Sequence, residues 1–259
     1  MSAFCAIEMV LWVQARLALL LCIATVCFSF GAYAQSQVVS ISFAGTLNNT
    51  HVDQLRAAIA KMRGDPIPTG LIIVLDSIGG DGLAAIAMGR LARQNNAHIF
   101  VKGTCRSACV FLFAGGVYRD ARAFALGIHR GRATRTVPGM GEVEIQPSTD
   151  PQVRDLLEFA EREAREYLQE MGVPRLFGEM QKIPSTRMRL LRTDEANELG
   201  LLGFDPDYLE KHTAAMQLRY GINRQQLLQR SARVRDRCEQ ELGENSKFLA
   251  CYRPTILKE

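Results

Sequence analysis

Five aliphatic residues stand in a row, Leu71, Ile72, Ile73, Val74 and Leu75, before the chain turns through Ser77-Ile78-Gly79-Gly80-Asp81-Gly82. The run is short enough, and apolar enough, to be a strand buried on both faces, the situation of a central strand in a parallel sheet. Its surroundings agree. Residues 37–43 alternate Val39, Ile41 and Phe43 with small polar residues, the period of a strand. Residues 51–62 then place Val52, Leu55, Ile59 and Met62 at helical spacing, and residues 64–68 break the pattern with Gly and Pro. After the glycine turn, residues 83–93 read as an alanine-rich helix, 97–101 as a strand, 108–113 as the start of a buried helix and 123–128 as a further strand. Strands alternating with helices imply an α/β fold with a mostly parallel sheet and right-handed crossovers.

Beyond residues 138–144 the chain changes character. Residues 150–171 form a long charged helix with Val153, Leu156, Leu157, Ala160, Ala164 and Leu168 on one stripe. Residues 193–199 form a short helix, with Thr193 as its N-cap, Asp194 and Glu195 at its positive end and Gly200 closing it. From about 206 to the end the sequence reads as a small, basic, helical C-terminal appendage. The expected division is a leader over 1–34, an α/β domain over 35–205 and the appendage over 206–259. No internal repeat is visible.

The leader reads as a signal peptide. Arg16 flanks an uncharged apolar run, and Ala32-Tyr33-Ala34 is a small-x-small cleavage signal, which predicts cleavage after Ala34 and a periplasmic or secreted protein. The apolar stretch 9–13 leaves an uncleaved membrane anchor as the alternative. Removing the leader takes three of the seven cysteines and leaves Cys105, Cys109, Cys238 and Cys251. Four cysteines in an exported chain suggest disulfides. Proximity favours 105 with 109 and 238 with 251, although three pairings remain open. No metal site is expected, because the chain has no CxxC pair and no HExxH helix. No cofactor is expected either: neither a phosphate-binding GxxxxGK[ST] loop nor a GxGxxG turn follows the strand. The net charge of +4 is too small to imply nucleic acid. The basic clusters at 130–135 and 230–237 read as solvated faces, since no aromatic platform accompanies them.

Three features carry possible chemistry. Ser107 lies between a strand and an apolar helix, where free backbone N–H groups favour developing negative charge. Gly79-Gly80, after a buried strand, lets backbone amides approach another group closely, as an oxyanion hole requires. His129 ends an apolar strand and would point into a crevice. His51, His98 and His212 lie in a polar turn, a strand and the appendage.

In that order, the three features resemble the proteolytic subunit of the Clp protease and its relatives in the Clp/crotonase superfamily. Leu75-Asp76-Ser77-Ile78-Gly79-Gly80 stands where the family has an N-S-P-G-G turn. Gly103-Thr104-Cys105-Arg106-Ser107-Ala108-Cys109 stands where it has G-x-A-A-S-M-G, and Ile128-His129 where it has M-I-H. Leu191-Arg192-Thr193-Asp194-Glu195-Ala196 resembles a downstream L-x-A-x-E-A segment. The C-x-S-A-C form around the serine is similar to a group of exported, Clp-like bacterial proteins. The resemblance implies a spiral of ββα units, with Ser107 as nucleophile and His129 as general base. It also implies oxyanion donors at the N–H groups of Gly79 and Ala108, and a peptide or protein substrate added as a strand near Gly80, Asp81 and Gly82. A homo-oligomer is implied as well.

The sequence departs from the family in two places. Met188 stands where the family's third triad residue, an aspartate, is expected, which leaves Asp194 as a possible third member. Ile78 replaces a proline. An exported chain has no obvious ATP supply and this one has no ATPase motif, so no ATPase partner is expected. The sequence therefore predicts an ATP-independent serine peptidase or acyl hydrolase. The alternative is a catalytically inactive Clp-like module that binds peptides or proteins.

Overall fold

The computed structural model describes residues 38–62, 69–139, 141–145, 148 and 150–258. The leader, its cleavage site and the break at 64–68 lie outside the described residues. The elements are β1 (Val39–Leu47), α1 (Asn49–Ile59), β2 (Leu71–Gly80), α2 (Gly82–Gln94), β3 (His98–Arg106), α3 (Cys109–Ala114), β4 (Tyr118–Asp120) and β5 (Leu126–Ile128). There follow the hairpin β6 (Thr134–Val137) and β7 (Gly141–Glu144), α4 (Pro151–Glu170), α5 (Arg175–Gln181), β8 (Arg189–Leu190), α6 (Thr193–Glu198) and β9 (Gly203–Phe204). The chain ends in α7 (Pro206–Tyr220), α8 (Arg224–Cys238), a 3₁₀ turn (Glu239–Glu241) and α9 (Asn245–Leu257).

The fold is α/β with a mostly parallel sheet. The order β1-β2-β3-β4 is parallel throughout, and β9 closes it antiparallel. β3 is where the sheet forks. Its first half, His98 to Phe100, pairs with β4; its last residues, Cys105 and Arg106, pair with β5, and β5 pairs in turn with β8. The fork delivers the end of β3 and the end of β5 to the same place.

Burial on both faces explains the aliphatic run in β2. Leu71, Ile73 and Leu75 face a core built with α1 to α6, whereas Ile72 and Val74 face a second core with Phe100, Tyr118 and side chains from α7 to α9. Phe100, Phe248 and Tyr252 are fully or almost fully buried there, and truncating a buried phenylalanine to alanine typically costs about 3–5 kcal/mol. Polar pins reinforce this second layer. The Tyr252 hydroxyl meets His98 Nδ1 at 2.7 Å, and the Tyr118 hydroxyl donates to Ser231 O at 2.9 Å.

Two local expectations are corrected. Gly79 and Gly80 do not form a turn beyond the strand: they are its last residues, in register with Thr46 and Leu47 of β1. Their φ values of 107° and 133° suit glycine alone, which is why the strand continues where sequence suggests a break. The N-cap of α6 is Arg192, not Thr193; Glu195 reaches back to accept its backbone N–H at 2.8 Å.

Candidate active site

β3 ends at Arg106 and α3 begins at Cys109. The two residues between them must reverse the chain within one step, and Ser107 does so at φ 54°. That left-handed conformation costs a residue with a Cβ about 1–2 kcal/mol, so other contacts must hold it. Ser107 N–H donates to Gly127 O at 2.8 Å, and Ser107 O accepts from Val110 N–H at 3.1 Å. A disulfide joins Cys105 to Cys109 across the turn, with Cα atoms 5.2 Å apart. Gly79 closes the other side: a Cβ there would come within 2.7 Å of Ser107 Cβ and 2.8 Å of Arg106 O. The turn has room for a glycine and nothing larger.

His129 follows β5, whose Gly127 and Ile128 are fixed by pairing with Arg106 on one side and with Leu190 and Arg189 on the other. Its Nε2 is 2.7 Å from Ser107 Oγ, and its Nδ1 is 2.8 Å from Arg130 O. A carbonyl can only accept, so the hydrogen-bond pattern assigns the proton to Nδ1 and leaves the Nε2 lone pair facing the serine hydroxyl. The Arg130 backbone is itself held, its N–H donating to Ile183 O at 2.9 Å. His129 is 8% exposed. Burial holds its pKa below the ordinary histidine value and Arg132 adds to this, against opposing contributions from Arg130 O and Glu144. The imidazole is therefore neutral at neutral pH, with its basic nitrogen on the hydroxyl.

No carboxylate bonds the ring among the described residues. Asp194 is held instead by Arg192, with Oδ2 2.7 Å from Nη2, and that bond pulls its pKa down to about 2. Met188 lies against Gly127, where an added Cβ would meet its Sδ at 2.8 Å. Glu144 acts on His129 only through charge; its Oε1 accepts from Ser185 Oγ at 2.9 Å. The orienting role that a third side chain would fill falls to the main-chain carbonyl of Arg130. Sequence reading missed both Arg130 O and Glu144. A main-chain carbonyl leaves no residue-type signal, and the hairpin that brings Glu144 close has no strong strand pattern.

The two expected oxyanion donors differ. Ala108 N–H has no acceptor among the described residues. Gly79 N–H donates to Ser77 Oγ at 3.1 Å, and that hydroxyl donates in turn to Gly45 O at 2.6 Å. Gly80 is paired to Leu47, and Asp81 N–H donates to Leu47 O at 2.9 Å. The Asp81 carboxylate caps α2 by accepting from Leu83 and Ala84 N–H, and Gly82 opens that helix. On its β3 side, β2 has no strand partner beyond Ser77↔Cys105. The edge of Ile78 to Gly80 on the serine's side is thus unpaired among the described residues.

Of the other histidines, His51 caps α1 through Asn48, and His98 is buried in the second core with its pKa lowered to about 3 by desolvation. The second disulfide joins Cys238 to Cys251, so of the three pairings the structure holds 105 with 109 and 238 with 251. Among the described residues no cluster of His, Cys, Asp or Glu could hold a metal ion, and no helix is long and apolar enough to cross a membrane. Two disulfides are compatible with a secreted or periplasmic protein.

No family model and no curated protein matches the sequence. Among solved structures, the chain is similar to a mutant of a protein described as 1510-N membrane-bound stomatin-specific protease. The identity is 17% and the TM-score 0.46, over 69% of this chain and 86% of that one.

Proposed function

We propose that the protein is a serine-type peptidase or related acyl hydrolase working through a Ser107–His129 dyad, in a Clp-like spiral fold. The observation that carries this is the 2.7 Å contact between Ser107 Oγ and the unprotonated Nε2 of a neutral, buried imidazole. A serine is a weak nucleophile until a base takes its proton as it attacks. His129 would take that proton, become an imidazolium whose Nδ1–H stays on Arg130 O, and return the proton to the leaving group. The Ala108 N–H stands ready for the tetrahedral oxyanion. Gly79 N–H would join it on release from Ser77, and each such donor is worth about 2.7–4 kcal/mol of barrier. An extended peptide would lie along the unpaired edge of Ile78 to Gly80 through main-chain hydrogen bonds.

The rest of the reading is export to the periplasm or beyond, action without ATP, and self-association. The disulfides support the first, since such bonds persist in oxidising compartments. Leu156 and Phe159, exposed on α4, offer apolar surface for the last. A second reading, a silent peptide-binding module, is favoured by one observation: Nδ1 of His129 faces a neutral carbonyl, which stabilises an imidazolium less than a carboxylate does. A fluorophosphonate probe separates the two. Covalent labelling of the mature protein that disappears in Ser107→Ala and in His129→Ala supports the hydrolase; a chain that never labels is the binding module.

A further inference from the structure

The residue before Ser107 is an arginine whose side chain has no hydrogen-bond or ion-pair partner among the described residues. Cys105 turns into the core with α3, so Arg106 stands on the opposite face of the sheet, in register with Gly127. The missing side chain of Gly127 makes a seat there: a Cβ at that position would meet Arg106 Cγ at 3.0 Å and Met188 Sδ at 2.8 Å. The stem of Arg106 and the Met188 thioether therefore pack together over the glycine. Leu190, the β8 partner of Gly127, is 37% exposed beside them, and Ile78, one residue beyond the Ser77↔Cys105 pair, is 63% exposed on the neighbouring strand.

The charge at the centre of this apolar surround is unanswered. Arg106 is partly buried, its Nε is buried without any hydrogen-bond partner, and its guanidinium makes no ion pair among the described residues. The nearby arginines differ. Arg189 is shared between Glu179 and Glu195, and Arg192 is held by Asp194. A buried guanidinium N–H left without an acceptor is costly, and a planar fork of five donors pairs bidentately with the two oxygens of a carboxylate, the anionic group that a peptide carries.

We propose that Arg106 is the specificity determinant of the site, receiving a carboxylate of the substrate while Met188, Leu190 and Ile78 pack on the carbon chain that carries it. Resting on the hydrolase reading, this names its substrate class: peptides with an anionic group next to the bond cleaved. Successive Cα atoms are about 3.8 Å apart, so Arg106 is one step from Ser107 and serves a residue flanking that bond. The carboxylate is either an acidic side chain or the free C-terminus of the peptide.

The test uses fluorescein-labelled, alanine-rich hexapeptides in four forms, with a central Glu or Gln and with a free or amidated C-terminus. Binding is read by fluorescence anisotropy on the mature Ser107→Ala protein, which holds a peptide without cutting it. The expected result is about tenfold tighter binding of one anionic form than of its neutral counterpart, with the preferred pair showing whether side chain or terminus is read. Adding Arg106→Gln should collapse that ratio to about one, and Arg106→Lys should keep part of it; circular dichroism of each variant establishes that it is folded. Equal binding of all four peptides, no binding of any, or a preference that survives Arg106→Gln overturns the proposal. Cleavage of the same peptides and fluorophosphonate labelling of the Ser107 protein judge the hydrolase reading separately. Discrimination in binding without labelling keeps the carboxylate site and removes the catalysis. Labelling without discrimination does the reverse.

Discussion

The Cys105–Cys109 disulfide should matter more for reactivity than for stability, and the second disulfide the other way round. The bridges have sequence separations of 4 and 13. Loop-closure entropy then assigns them about 2 and about 3 kcal/mol of stability. The shorter bridge also spans a serine at φ 54°, a conformation that costs about 1–2 kcal/mol. Once it is gone, the turn can relax toward an ordinary backbone, and Ser107 Oγ leaves its place 2.7 Å from His129 Nε2. A shift of 1–2 kcal/mol between two turn geometries depopulates the reactive one by about an order of magnitude. Replacing Cys105 and Cys109 together by alanine should therefore slow fluorophosphonate labelling about tenfold. Replacing Cys238 and Cys251 together should leave labelling near the wild-type rate while costing more in urea unfolding. Labelling rates by gel fluorescence and urea midpoints by circular dichroism, on the same three proteins, read both quantities. Wild-type labelling in the 105/109 double variant would refute the argument that this bridge holds Ser107 in place.

Three further outcomes are expected. Labelling should rise with pH as His129 loses its proton; because burial depresses that pKa below 6.5, the midpoint of the rise should lie below pH 6.5, and a midpoint above that value would contradict the buried-base assignment. His98, lowered to about 3 by desolvation, binds a proton in the unfolded chain before it does in the folded one, so its contribution to stability is full above pH 6.5. It is then lost as pH falls toward 3, at up to about 1.4 kcal/mol per pH unit. Urea midpoints at pH 7 and pH 5 should diverge less in His98→Gln than in the wild type. Gly79→Ala should abolish labelling on the same gel, since its methyl would meet Ser107 Cβ and Arg106 O at a φ of 107°.

The sequence was most legible where periodicity and burial agree. The uninterrupted run Leu71 to Leu75 reads as a strand covered on both sides because both cores contribute to its burial. The helix starts were readable where side chains do the capping, as at Asp150, whose carboxylate accepts from Gln152 and Val153 N–H. The strand β4 escaped notice: three residues following Gly115 and Gly116 carry too little pattern, and only pairing with β3 and β9 defines them. In the candidate site, Ser107 and His129 could be named from residue type and position, and the structure sets them side by side. Residue type could not foretell that Asp194 would be taken by Arg192, that Arg130 would offer its carbonyl to the ring, or that Gly79 N–H would turn to Ser77. Each of these depends on where a backbone group points after the fold has formed.

The covering of the sheet's second face has a consequence for the life of the chain. Ile72, Val74, Phe100, Val117 and Tyr118 are sheltered by Phe204 and, for the most part, by side chains of α7 to α9 that follow it. A ribosome that has released residues up to that point has made Ser107 and His129, yet much of one side of their scaffold is still uncovered. Such an unfinished or clipped chain would present a sticky surface to chaperones, proteases and its own copies. Residues 206–258 thus shelter one face of the sheet whose strands β3 and β5 lead to Ser107 and His129.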